Sequence, residues 1–181
     1  MRGFVGDADI DTTYAAVGRA LSAWEGVELR LAEVYSIFTI EKMDLELVRD
    51  YGSANQTFRW RIAAIEKAAK QYFIRKPCQD YEGDFLKMTA LATDLAEGRN
   101  NIAHGIVRPC RYHHRPGTNP PEECDVTLFI LTPPWYSIER LRLLHSGDMG
   151  SSEMLDLADK FAQLAADVNE YGLRLLPLAQ R

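Results

Sequence analysis

Cysteine is scarce in this chain. Cys78, Cys110 and Cys124 are the three it has in 181 residues. They are odd in number and irregularly spaced, which excludes a secreted disulfide framework and favours a reducing, cytoplasmic setting. Positive charge is in deficit as well: 21 Lys and Arg against 26 Asp and Glu leave a net charge of −5. No global field therefore draws the protein to nucleic acid or to an anionic membrane, and any such binding must be local. No stretch approaches about 18 apolar residues, and Met1 to Asp11 carries an arginine and three aspartates rather than an apolar leader, so no membrane association is expected. Neither a glycine-rich phosphate loop nor a nucleophile elbow is present. Cys110, His113, His114 and Cys124 follow no established zinc spacing, so neither metal nor cofactor is expected.

With 46% hydrophobic and 26% charged residues, the composition is that of one globular domain over 1–181. Apolar residues at Tyr14, Val17, Leu21, Trp24, Leu31, Tyr35 and Phe38 fall in steps of three and four, with one doubled step across Glu28. They predict a long helix capped by Asp11 or Thr12. A second helical run starts at Asp44, with an expected kink or break at Gly52-Ser53. It resumes through Phe58, Ile62, Ile65, Ala69 and Tyr72, with Arg59, Arg61, Glu66, Lys67 and Lys70 on its wet face, and ends near Arg75, before Lys76-Pro77. After a loop over Cys78 to Gly83, a third helix presents Phe85, Met88, Leu91, Leu95 and Ile102. It closes at His104, where Gly105 suits a left-handed cap.

At Gly105 the pattern changes. Ile106-Val107 and Asp125 to Thr132 are rich in β-branched residues around a proline-rich interval from Pro116 to Glu123, predicting a β-hairpin over about 105–132 that Pro133-Pro134 terminates. Tyr136 to His145 fits neither period cleanly and is read as extended. A fourth helix, capped by Ser151 or Ser152, carries Leu155, Ala158, Phe161, Ala165, Val168 and Tyr171 up to Pro177. The fold class read from this order is mainly α, an antiparallel four-helix bundle with a β-hairpin inserted between helices 3 and 4.

The residues best suited to chemistry cluster where the third helix ends. Arg99 and His104 are five apart, about 140° around the axis and roughly 7.5 Å along it, so one helix does not easily close both on one atom. A twofold pairing of chains would bring two copies of each into one cleft. Cleavage of RNA by its own 2′-hydroxyl needs a base, an acid and positive charge at the phosphate, and no metal. Histidine serves either proton role near neutrality, and arginine offers a two-point fork to phosphate oxygens. Asn100 is placed to orient the histidine or the substrate. Directly downstream, Arg108, Arg111 and Arg115, with Tyr112 between them, are candidates for holding single-stranded RNA.

The segment Arg99-Asn100-Asn101-Ile102-Ala103-His104-Gly105 resembles the signature of the HEPN superfamily, an arginine and a histidine separated by four to six residues on a late helix of a bundle. The resemblance in letters covers about seven residues. It implies a homodimer and, in many members, a metal-independent endoribonuclease of the toxin or antiviral-defence kind, with an antitoxin or other regulatory protein as partner. It places Arg99 and His104 at the catalytic positions and Asn100 at the accessory polar position. The alternative that it leaves open is a non-catalytic dimerising or nucleotide-binding module.

Overall fold

The structure, a computed structural model, describes residues 5–53, 57–114, 124–133 and 148–180. It is mainly helical, with helices α1 (Ile10–Ile40), α2 (Leu45–Ser53), α3 (Phe58–Arg75), α4 (Gln79–Ala103) and α5 (Ser151–Ala179). An antiparallel pair of strands, β1 (Ile106–His114) and β2 (Cys124–Thr132), stands between α4 and α5. The described residues hold five helices where four were expected, because α2 and α3 are separate helices on either side of the expected break. No helix among the described residues is long and apolar enough to cross a membrane. The stretch Tyr136 to His145, the hairpin tip and Arg115 lie outside the described residues.

The chain forms two compact units, residues 22–97 with 159–181, and residues 1–21 with 98–158. In the first, the side of α1 turned to the core carries Trp24, Val27, Leu31, Val34 and Phe38. Val27 fills the step that the sequence pattern left doubled. Phe38 is the aromatic hub, its ring centroid 5.0 Å from Phe85, 5.4 Å from Tyr72 and 5.6 Å from Phe73. Trp24 packs edge-on against Phe58 at 4.9 Å and Phe161 at 5.1 Å, and its indole N–H donates to Glu28 at 2.8 Å. Glu28 is also ion-paired with Arg61, and the two side chains are only 12% and 14% exposed. Arg61, expected on the wet face of α3, is thus largely buried, because Glu28 answers its charge from α1. Burial holds the Tyr171 hydroxyl in its protonated form, and it donates to the Tyr81 carbonyl at 3.1 Å.

Several helix ends differ from the sequence reading. The expected loop over Cys78 to Gly83 shortens to three residues: Asp80 and Glu82 complement the positive end of α4, and the Glu82 N–H bonds the Cys78 carbonyl. Pro177 does not end α5, which continues to Ala179. The carbonyl that loses its partner to the proline belongs to exposed Leu173, and Lys76 donates to the Ala179 carbonyl at 2.6 Å, satisfying that end of the helix. The same ammonium donates to Glu41 at 2.9 Å. Glu41 follows α1 in the left-handed region, φ 63°, with its N–H bonding the Ile37 carbonyl.

The hydrogen bond from Lys76 holds the Glu41 carboxyl below the usual carboxylate range. A group whose folded pKa is depressed stabilises the fold above its unfolded value and loses that contribution as pH falls through the folded one. Glu41→Gln is therefore expected to be less stable than the natural chain at neutral pH, with the difference closing as pH falls below about 4. Urea titrations at pH 7 and pH 3 measure this, and an equal difference at both would contradict it.

In the second unit β2 is the central strand. β1 flanks one side, and two isolated bridges, Asp7 with Phe129 and Met149 with Leu131, flank the other. The Asp7 carboxylate accepts from the Thr13 hydroxyl at 2.9 Å and the Ser151 N–H at 3.0 Å, tying α1 to the start of α5. Glu153 reaches back to the Gly150 N–H at 3.0 Å, so Gly150 is the N-cap that Ser151 or Ser152 was expected to be. At α1 the cap is Asp9, not Asp11 or Thr12. Its carboxylate accepts the Thr12 N–H at 3.1 Å and hydroxyl at 3.0 Å, which hold its pKa below the usual value. Gly6, at φ 128°, brings the chain against Ile130 and Leu128, where a Cβ would lie 2.7 Å and 2.9 Å from their side chains.

Candidate functional site

Arg99, Asn100 and His104 stand where α4 gives way to the hairpin, within the unit of residues 1–21 and 98–158. The His104 N–H still bonds the Asn100 carbonyl at 3.1 Å, and the Gly105 N–H turns to Ile102 at 3.4 Å, so the helix tightens and stops there. Gly105 is not left-handed, since Gly6 is the sole glycine with positive φ among the described residues. Its requirement is space. A Cβ would lie 2.7 Å from the Asn101 carbonyl oxygen and 2.9 Å from Leu131 Cγ and Cδ1. Leu131, fully buried in β2, thereby fixes the direction in which the chain leaves His104.

Arg99 is half-buried and His104 exposed. Arg99 Nη1 donates to Asn100 Oδ1 at 3.1 Å, whereas Arg99 Nε is enclosed with no hydrogen-bond partner among the described residues. Asn100 and His104 are four apart, about 40° around the axis and roughly 6 Å along it, so they share a face. The Asn100 amide is bonded to Arg99, and its relation to His104 is one of helical spacing. Beneath Arg99 the helix is open to close approach, because Gly98 leaves room for Leu157, whose Cδ2 would be 3.2 Å from an added Cβ.

The arginines of β1 are not gathered into one surface. Arg108 and Arg111 are both exposed, but residues three apart on a strand face opposite ways. Arg108 Nε donates to Thr132 Oγ1 at 2.6 Å across the hairpin, a partner that no local pattern signals. Arg108 is thereby anchored at the β1 end next to His104, and Arg111 lies one strand residue beyond Cys110. Pairing sets Cys110 opposite Leu128 and Cys124 opposite His114. The two cysteines are therefore four positions apart, about 13 Å along the strand. The side chains of Tyr112, His113, His114 and Cys124 lie outside what the structure describes. Among the described residues no group of three His, Cys, Asp or Glu side chains comes together as metal ligands.

The Gly105 contact gives a test of the geometry. Gly105→Ala is expected to cost about 1–3 kcal/mol of stability, because the added methyl must displace either Leu131 or the last turn of α4. Urea unfolding followed by circular dichroism measures the loss, and a variant as stable as the natural chain would show that the turn is not constrained in this way.

No family model, curated protein or solved structure matches this chain.

Proposed function

We propose that this chain is a metal-independent endoribonuclease resembling the HEPN superfamily, working as a homodimer whose two copies complete one cleft. The observation that carries the reading is the hydrogen-bonded pair of Arg99 and Asn100 one turn before an exposed His104, at the open end of a helix. In this reading α1, the interrupted pair α2 and α3, α4 and α5 constitute the superfamily's antiparallel four-helix bundle. One His104 takes the proton of a ribose 2′-hydroxyl, whose oxygen attacks the adjacent phosphorus. His104 of the second copy protonates the departing 5′-oxygen, leaving a 2′,3′-cyclic phosphate and a free 5′-hydroxyl. Arg99 neutralises the charge that gathers on the phosphate oxygens, and Asn100 holds its guanidinium in place. Arg108, at the β1 end next to His104, guides the strand toward the cleft, and an antitoxin or other regulatory protein restrains the activity in the cytoplasm.

A specific observation favours a second reading. Arg99 is half-buried with Nε enclosed, as befits a structural residue of a non-catalytic dimerising or nucleotide-binding module. The two readings part in one assay. RNA incubated with the protein and a chelator is cut if the first holds, and Arg99→Ala and His104→Ala each remove the cutting. An uncut RNA decides for the second, and cutting that survives both substitutions refutes the roles given to Arg99 and His104.

A further inference from the structure

Helix α3 is a basic element in an acidic protein: Arg59, Arg61, Lys67, Lys70 and Arg75 stand against the lone acid Glu66. Arg61 is committed to Glu28, but the other cations are exposed. Two of them border a groove between α1 and α3, with a volume of about 360 Å³, lying wholly within the unit of residues 22–97 and 159–181. Lys67, Gln71 and Arg75 form one wall. They follow at four-residue intervals, so their side chains rise along one line about 6 Å apart. Ala64 and Ala68, one turn apart on the same helix, are small enough to leave the groove open. The α1 side supplies the ring of Tyr35, backed by the ring of Tyr51 at 4.9 Å, and Phe38 at the base. None of the residues lining the groove is acidic, although the chain holds 26 acids. Lys67 has no acidic partner among the described residues, and Arg75 meets Glu41 only at 3.8 Å.

We infer that this groove binds a short stretch of single-stranded nucleic acid, its phosphates along Lys67 and Arg75 and a base against Tyr35. Two cations about 12 Å apart along one line suit a polyanion, and the Tyr35 ring gives a base a stacking surface that an acidic peptide does not use. Gln71, with both donors and an acceptor, stands between the cations where a base edge would pass. A cleft of this size admits one strand rather than a duplex. The inference does not rest on the ribonuclease reading, because nothing in the groove involves Arg99, Asn100 or His104.

The test is fluorescence anisotropy with a labelled 2′-O-methyl oligouridine, which cannot be cut through a 2′-hydroxyl, measured over a range of salt. The natural chain is expected to bind it, and Lys67→Glu with Arg75→Glu to weaken binding about tenfold or more. The slope of log K against log salt falls by about 1.4, two contacts at about 0.7 each. Tyr35→Leu, with its helicity checked, weakens binding about fivefold or more through lost stacking. A control pair, Lys87→Glu with Lys160→Glu, changes net charge equally on exposed positions away from the groove and leaves the slope unchanged. The inference is overturned if the natural chain does not bind, if the control pair weakens binding as much, or if polyglutamate displaces the strand as effectively as unlabelled oligouridine. Binding by Arg99→Ala and His104→Ala variants that no longer cut RNA keeps this outcome separate from that of the ribonuclease proposal.

Discussion

His104→Ala is expected to lower the rate of RNA cleavage by about 10²–10⁴, the contribution of a positioned proton-transfer group. The substitution touches nothing that holds the fold, because the imidazole is exposed and the helix end is set by backbone bonds and by Leu131 against Gly105. Circular dichroism and the urea midpoint should therefore be unchanged while activity collapses. Arg99 requires a paired comparison, since its half-buried stem packs as well as carries charge. Arg99→Ala loses both. Arg99→Lys keeps the charge and most of the stem but lacks the planar fork, so a rate nearly as low as that of Arg99→Ala would assign the effect to two-point phosphate binding. Asn100→Asp, which leaves a carboxylate to pair with the guanidinium, should lower cleavage by drawing Arg99 away from the phosphate. Initial rates on a labelled RNA in chelator measure all four, and a His104→Ala enzyme of natural rate would refute the assignment.

Trp24→Ala is expected to have the largest effect on stability, about 3–5 kcal/mol. A melting temperature lower by roughly 6–20 °C would accompany it in a domain of this size. Two losses combine. The indole leaves a cavity between Phe58 and Phe161, and Glu28 loses the N–H that shares its charge with Arg61. A carboxylate and a guanidinium this poorly exposed depend on full hydrogen bonding to offset their desolvation. Trp24→Phe separates the parts, because it refills most of the cavity and removes only the donor. Its expected cost is nearer 1–3 kcal/mol, that of one charged hydrogen bond. Guanidinium titration followed by far-ultraviolet circular dichroism reads both variants, and a Trp24→Ala chain within about 1 kcal/mol of the natural one would contradict this account of the core.

The helices were legible in the sequence wherever large side chains did the packing. Ile62, Ile65, Ala69 and Tyr72 are buried on α3 as their spacing required, as are Phe161, Val168 and Tyr171 on α5. The pattern failed where small or polar residues occupy the core. At the start of α1 the buried positions are Thr13, Ala16 and Ala20, while Tyr14 is 53% exposed. Ranking residues by size there selected a face displaced by one residue. On α4 the same bias chose Leu91, which is exposed, over Ala92 and Thr89, which are buried. The caps at Asp9 and Gly150 rest on partners three residues away that the sequence reading passed over, whereas other groups that satisfy the helix ends are distant: Asp7 serves Ser151 across the unit, and Lys76 serves Ala179. No local motif announces such partners.

At the candidate site, residue types and spacing were readable, and the link between them was not. The distance of five from Arg99 to His104 implies separate faces of a helix. What the sequence did not reveal is that the Asn100 amide binds the arginine, whereas its shared face with the histidine follows from the spacing of four. Gly105 was anticipated as a stop for the wrong physical reason, since the contact with Leu131 depends on a strand some 26 residues away. The groove along α3 was missed because its cations read as a solvated face, and only the packing of α1 opposite them encloses a space.

The chemistry proposed here leaves a signature in its products, and that is the most direct measurement of it. A defined RNA, treated with the protein in chelator, should yield 5′ fragments ending in a 2′,3′-cyclic phosphate and 3′ fragments beginning with a free 5′-hydroxyl. The same RNA carrying a 2′-O-methyl group at the cleaved position should stay whole. Fragments ending in a 3′-hydroxyl, or cutting that needs an added divalent metal, would contradict attack by the 2′-hydroxyl and with it the roles given to Arg99 and His104.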